Sequence, residues 1–323
     1  MLNEFLMVIA GTAIIVGLAE LIIKKSIQLA EHFHMSGTFI GLTLLSIGTS
    51  IPEIITHIMG SSQIVKNPSL MNTLSGLLLG TNIGSDIFQQ NFVLAVIGLL
   101  GAVVVIKKNL NPQVGVLIGS AVLVWLFSLN SFISRAEGLI LVVAYIAYLI
   151  YLKTSKISEQ FNAINRLAPR QVWFAGILIL ICFGIMGFVT NEVLTAATIL
   201  VRALPISASF FGVILLGVAS ALPELTTSLI AVLKKKRDIS AGILIGSNIT
   251  NPLFGIGLGA LISGYVVPDV IIFYDLPIKI ITAFLIYYFL WKNEGLNKKH
   301  AIILIALFFI YLIFRQIYFP VDF

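Results

Sequence analysis

Two stretches decide how this chain is read: residues 41–53, GLTLLSIGTSIPE, and residues 212–224, GVILLGVASALPE. Gly, Leu, Leu, Pro and Glu coincide at five of thirteen positions, at an offset of 171 residues. Most remaining positions exchange one small or apolar residue for another. A second pair follows, 80–91 (GTNIGSDIFQQN) and 242–253 (GILIGSNITNPL), sharing Gly, Ile-Gly-Ser and a later Ile at an offset of 162. Self-similarity of this kind marks an internal repeat. Each copy of the first motif sets a Pro-Glu pair inside an apolar run, where an ionised carboxylate costs several kcal/mol unless a cation compensates it.

Working outward, 59% of the 323 residues are hydrophobic and 11% are charged, against roughly 25% charged in a soluble domain. Apolar stretches near the length needed to cross about 30 Å of hydrocarbon recur along the chain. The sequence predicts ten transmembrane helices, at 4–23, 38–64, 71–105, 112–130, 136–152, 172–200, 209–233, 239–266, 269–291 and 300–318. The polar stretch 153–171, KTSKISEQFNAINRLAPRQ, separates a first repeat (1–152, spans 1–5) from a second (172–323, spans 6–10). Five spans is an odd number, so the second repeat enters from the opposite side and the repeats are inverted, the symmetry on which alternating access rests. The expected fold is all-α, with two inverted five-helix repeats.

The loops on one side hold most of the 20 lysines and arginines, while the other side holds Lys66, Arg135, Arg202 and Arg315. The positive-inside rule makes the first side, with the 153–171 linker, cytoplasmic and puts both termini outside. The chain reads as a multi-pass protein of a prokaryotic plasma membrane, its first span uncleaved. The charge of +6 is scattered between spans rather than gathered on one soluble face, so no nucleic-acid partner is expected. Cys182 lies alone in an apolar run and reads as packing. The expected partners are ions and the bilayer, with no cofactor and no obligate protein partner.

Pro52 and Pro223 cannot donate to the carbonyls four residues back, so each breaks its helix just before Glu53 and Glu224. Thr49, Ser50 and Ser220 cluster at the breaks, and irregular backbone at membrane depth points to a cavity or a site. In the second motif Gln89 and Asn251 each follow Ser85 and Ser247 by four residues, on the same helix face. Glu53, Glu224, Thr49, Ser50, Ser85, Gln89, Ser220, Ser247 and Asn251 are all oxygen donors and none is a thiolate. That is the chemistry of hard cations such as calcium. Lys279, read as the one basic residue in mid-span, cannot neutralise two symmetric glutamates equally. His57, four residues after Glu53, could bond that carboxylate or relay a proton, or simply pack. Asp86 is turned away from Ser85 and is expected to make a structural hydrogen bond. Glu20, Asp275 and Lys279 are expected to pair or snorkel, and the basic run 234–237 to be a topology signal. For the Gly-Ser pairs, close helix packing is the competing explanation.

The paired Gly-Thr-Ser-x-Pro-Glu and Gly-Ser-x-x-x-(Asn/Asp) segments resemble the two α-repeats of the cation/calcium antiporter superfamily, most of all sodium/calcium exchangers. The resemblance covers nearly the whole chain. It implies that spans 2, 3, 7 and 8 form a core around four ion sites and that spans 1 and 6 slide across it. It also implies that Glu53 and Glu224 are the central carboxylate ligands, with Thr49, Ser50, Ser85, Ser220 and Ser247 as hydroxyl ligands. The chain departs from the family pattern with Gln89 in place of Asn or Asp, Asn251 in place of Asp, and Ala221 in place of a second hydroxyl. Two carboxylates give a formal charge of −2, matching one calcium or two monovalent cations. The expectation is a secondary active antiporter, not an enzyme, exchanging Ca2+ for Na+; the alternative is Ca2+/H+ exchange. An intramembrane hydrolase would need a Ser-His contact, and the sequence offers no Gly-x-Ser-x-Gly elbow or His-Glu-x-x-His motif; inverted repeats favour a carrier over a passive channel.

Overall fold

Inside a membrane every backbone N–H and C=O must be satisfied by the chain itself, which a helix does within one segment. The computed structural model describes residues 1–32, 45–100, 107–154, 167–204, 206–233, 237–293 and 295–322, and these are almost wholly helical. In chain order, α1 is Leu2–His32, and α2 is the pair Ser46–Thr49 and Ile51–Lys66. Helix α3 comprises Met71–Phe88, a π-helical turn Gln89–Val93 and Leu94–Leu99. Next come α4 (Lys107–Ser128), α5 (Arg135–Thr154) and α6 (Pro169–Ala203). Helix α7 runs through Ala208–Phe211, a π turn Gly212–Gly217, Val218–Ser220 and, past Ala221, Leu222–Leu233. Helix α8 comprises Arg237–Thr250, a π turn Asn251–Ile256 and Gly257–Ser263. A π turn Ile271–Asp275 with Leu276–Asn293 makes α9, and Lys298–Tyr318 is α10.

Among the described residues, seven helices (α1 and α5 to α10) contain a stretch long and apolar enough to cross a membrane by length and composition. The chain is therefore a multi-pass membrane protein. Helix α4 has a shorter apolar part, Pro112–Ser128. Helices α2 and α3 fall short of that measure; residues 38–44 and 101–105 of their expected spans lie outside the described residues, as do 155–166 of the expected linker and Lys234–Lys236. Helix α1 runs nine residues past the expected end at 23, to His32, and the other helix ends fall within about five residues of the spans read from sequence.

Helices α2, α3, α7 and α8 pack together at the centre, with α4 and α9 paired beside α8, α5 against α8, and α10 against α3. Helix α1 packs along α6. Their surroundings differ: the apolar stretch of α8 is 83% buried and that of α6 only 17%, which makes α8 a core helix and α6 a peripheral one. The α3–α7 crossing is close because glycines line it. A Cβ on Gly84 would lie 2.6 Å from Val213 Cα, and one on Gly217 would lie 2.8 Å from the Thr81 carbonyl oxygen. The packing explanation thus holds for Gly84, while the adjacent Ser85 faces the other way, toward Glu53.

Several chain reversals meet on one face. Strand β1 (Phe132–Ile133), between α4 and α5, pairs antiparallel with β2 (Tyr265–Val266), between α8 and α9, in the register Phe132↔Val266 and Ile133↔Tyr265. The Val266 amide donates to Ser75 Oγ near the start of α3. Gln63, near the end of α2, donates to Asn191 on α6 at 2.9 Å. Asp322, beyond α10, accepts from the Ser209 amide at the start of α7, and its carbonyl accepts from the Asp269 amide. The starts of α3, α5, α7 and α9 and the C-terminal tail therefore share that face.

Candidate cation site

The two helix breaks expected from proline are present and match. Ser50, between the two pieces of α2, has φ −80° and ψ 2°, and Ala221, at the same place in α7, has φ −82° and ψ 0°. The residue before each break turns its hydroxyl back onto the same backbone position: Thr49 Oγ1 donates to the Ser46 carbonyl at 3.3 Å and Ser220 Oγ to the Gly217 carbonyl at 3.2 Å. A new helical piece begins immediately after, with proline at its second position and the glutamate in its first turn. Proline suits a helix start, and the positive end of the helix dipole there favours a carboxylate. The sequence thus places Glu53 and Glu224 at two helix N-termini in mid-protein, both fully buried.

Around them the hydroxyls are shared reciprocally. Glu53 Oε1 accepts from Ser85 Oγ at 2.8 Å, and Ser220, from the other half of the chain, also faces this carboxylate. Glu224 is faced by Ser247 from its own half and by Thr49 from the other. Thr49 and Ser247 bond each other at 3.1 Å, and neither donates to Glu224. Both Glu224 oxygens and Glu53 Oε2 are left buried without a donor, as is Ser50 Oγ. The two carboxylates lie close enough to repel each other. Protein groups therefore leave an electronegative pocket in which the orphaned atoms are oxygens. Unpaired buried charge is costly enough that it calls for a counter-ion.

The second motif closes one side of this pocket. Gln89 and Asn251 each open a π-helical turn, in α3 and α8; such turns interrupt the i−4 ladder and are frequent at functional sites. In α8 the cause is visible, because Pro252 cannot donate to the Asn248 carbonyl. Gln89 Nε2 donates to Ser85 Oγ at 3.1 Å, and Gln89 Oε1 accepts from Asn248 Nδ2 at 3.2 Å. Asn251 Nδ2 donates to Asp86 Oδ1 at 2.7 Å, which leaves Asn251 Oδ1 buried and without a partner. Among the described residues no group of three or more His, Cys, Asp and Glu side chains could hold a metal, so a cation here would depend on hydroxyls and amides as well as on the two carboxylates.

Small cavities flank the centre. One of about 40 Å³ lies between α3, α4, α8 and α9, against Gln89, Gln90 and Asn248; another of about 20 Å³ lies between α1, α2, α6 and α7, against Pro52, Thr56 and Ser220. A space of roughly 10–15 Å³ suffices for one water.

Most remaining polar residues singled out from the sequence find definite partners, and Lys279 and Asp275 each form an ion pair, as expected. His57 does not bond Glu53: its Nδ1 meets the Tyr265 hydroxyl at 2.8 Å, which Ser61 Oγ also meets at 2.7 Å. Strand β2 carries Tyr265 in from a chain reversal, and no local pattern announces it. Asp86 makes the expected structural hydrogen bond, with Asn251, and in addition an ion pair with Lys279, both side chains fully buried. Arg315, read at the outer end of the tenth span, is buried in the last turn of α10 and binds both oxygens of Asp275, with Nη2 on Ser209 Oγ at 2.6 Å. Lys279 and Arg315 are both buried, and among the described residues neither pairs with Glu53 or Glu224. Glu20 is exposed beside Lys24 on a groove between α1 and α7. Sequence reasoning assigned no role to Asn82, whose Nδ2 donates to the Asn251 backbone carbonyl at 3.0 Å, or to Asn248, which donates to Gln89. Both are polar residues inside the repeated motif, a signal that was available.

Comparison with known proteins gives a consistent picture. The family model described as sodium/calcium exchanger protein matches residues 3–154 and 173–316. The sodium/calcium exchanger MaX1 of Methanosarcina acetivorans is 24% identical, the match covering 95% of this chain and 99% of that protein. The inner membrane protein YrbG of Escherichia coli is 25% identical over 91% of this chain and 90% of its own length. Among solved structures, the sodium-calcium exchanger NCX_Mj, soaked with 10 mM Na+ and 10 mM Sr2+, superposes with a TM-score of 0.66 at 25% identity, covering 97% of both chains.

Proposed function

Because this chain belongs to the sodium/calcium exchanger family, we propose that this cation/calcium antiporter carries Ca2+ in exchange for Na+ at a site built on Glu53 and Glu224. The observation that carries the reading is the pair of buried glutamates with donor-free oxygens, surrounded by hydroxyl and amide oxygens and, among the described residues, with no cationic side chain bonded to either. Ca2+ takes six to eight oxygens in a flexible cage. Thr49, Ser50, Ser85, Ser220, Ser247 and Asn251 Oδ1 supply neutral ligands beside the two carboxylates; Gln89, held at both ends, positions Ser85.

We read the architecture as ten transmembrane helices in two inverted repeats. The matched breaks at Ser50 and Ala221 support this, as does the reciprocal sharing of hydroxyls between halves. The common face of the α2–α3, α4–α5, α6–α7 and α8–α9 reversals is what an alternating ten-span path requires. The basic residues make the opposite face cytoplasmic. Peripheral α1 and α6, in contact with each other and with the broken helices, are suited to move across the core in alternating access.

Sodium is favoured over the proton as the driving ion because the glutamates are flanked by hydroxyls, amides and helix N-termini, and because the histidine that could have relayed protons is bonded to Tyr265 instead. The test is Ca2+ uptake into proteoliposomes loaded with Na+. Glu53→Gln and Glu224→Gln should each reduce uptake at least about 100-fold while the purified proteins remain monodisperse, since loss of a charge-compensating ligand costs about 3 kcal/mol or more. Near-normal uptake by either variant would remove the site from the reading.

A further inference from the structure

Asp86 directly follows Ser85, and its charge is felt at Glu53, so a third carboxylate stands beside the two of the proposed site. It is fully buried and is compensated by a residue from outside the repeated motifs, Lys279 on α9, whose ammonium pairs with Asp86 Oδ2. The other oxygen, Oδ1, accepts from Asn251 Nδ2. Asn251 in turn holds its own carbonyl oxygen free and buried, and its backbone carbonyl is bound by Asn82. Asp86, Asn251 and Asn82 therefore form a continuous polar wall reaching from the ion pair to the cage.

A buried ion pair adds little stability over an apolar pair of similar volume, whereas removing one member leaves a costly unpaired charge. Gluing α3 to α9 is thus a weak reason for this pair to stand beside a cation site. Its electrostatic effect there is large. Three ionised carboxylates, Glu53, Glu224 and Asp86, sum to −3; with the Lys279 ammonium in place the local charge is −2, and without it the site would call for one more cation.

Building on the antiport reading above, we infer that Lys279 is a tethered cation: its ammonium permanently fills the place beside Asp86 that a mobile monovalent cation would take, and so lowers by one the number of ions moved per Ca2+. The unmodified protein then exchanges two Na+ for one Ca2+ and moves no net charge. Lys279 is a specificity-determining residue that never touches the transported calcium.

The test uses full-length protein, purified and reconstituted. In vesicles with the membrane potential set by a K+ gradient and valinomycin, Na+-driven 45Ca2+ release by the unmodified protein should be independent of potential. Lys279→Met should move one additional Na+ per Ca2+, seen as a 22Na+ to 45Ca2+ flux ratio rising from 2 to 3, and the exchange should become voltage-dependent. Asp86→Asn, which strands the ammonium, should have the opposite effect and weaken equilibrium 45Ca2+ binding about tenfold or more. The double variant D86N/K279M should return to a ratio of 2 whatever its rate, and together with D86N it carries the test if K279M does not fold. A ratio unchanged in K279M, as when Asp86 takes up a proton instead, or unweakened binding in D86N, would overturn the inference. If the unmodified protein failed to bind Ca2+ or to exchange it for Na+, the antiport reading itself would fall instead, so the two failures are distinguishable.

Discussion

Replacing Asn251 by Asp removes the Nδ2 donor that ties this residue to Asp86 and brings two carboxylates into contact. Like charges at that distance disfavour ionisation of both unless a cation joins them. N251D should therefore show a steeper dependence of Ca2+ release on Na+ concentration and a lower melting temperature in Na+-free buffer. Identical sodium curves and stability would mean that position 251 does not face the cage. Ser85 presents a milder case, because its hydroxyl donates to Glu53 and is itself steadied by Gln89. A hydrogen bond to a charged group is worth about 1.5–3 kcal/mol, so Ser85→Ala should weaken Ca2+ binding roughly ten- to hundredfold, measured by equilibrium binding of 45Ca2+. At this scale the sequence was most informative where cost was highest. Glutamates in apolar spans need partners, and the structure buries both with no basic residue on them among the described residues. The partners of Lys279 and Arg315 could not be read, since Asp86 lies 193 residues from the first and Asp275 lies 40 from the second, and no periodicity links them.

Among the elements, the breaks in α2 and α7 were legible because proline at a fixed place removes a defined hydrogen bond. The π turn at Gln89 was not, because no proline or glycine marks it, whereas Pro252 gave a local cause for its counterpart at Asn251. The α3–α7 crossing shows how the two motifs cooperate: Gly84 and Gly217 let the backbones approach, and that approach sets Ser85 and Ser220 around one carboxylate. Gly217→Val would force side-chain atoms onto the α3 backbone at Thr81 and Ser85, where a Cβ already meets atoms at 2.8 and 2.9 Å. Backbone cannot yield as a flexible side chain can, and overpacking of this kind costs about 1–3 kcal/mol. The expected outcome is a melting temperature lowered by several degrees together with loss of Ca2+ binding; a variant with unchanged stability and binding would show that the crossing is looser than described.

For the whole molecule, the shared face of the α2–α3, α4–α5, α6–α7 and α8–α9 reversals fixes which segments must be accessible together. The chain has one cysteine, Cys182, and it is buried. Single cysteines introduced at Ser131 and Asp269 in a Cys182→Ser background should react with a membrane-impermeant maleimide from outside intact cells, and one at Thr154 only after lysis. Labelling at Thr154 in intact cells would reverse the orientation read from the basic residues.

Exchange of calcium for sodium at the Glu53–Glu224 cage stands or falls with the driving ion. Na+ and Ca2+ both accept oxygen cages, so one set of ligands can serve each in turn, whereas proton coupling requires carboxylates that protonate during the cycle. Vesicles containing the purified protein and loaded with 45Ca2+ should release it when Na+ is added outside at fixed pH and clamped potential, and choline should not substitute. Release that ignored sodium and followed an imposed pH gradient would contradict the account.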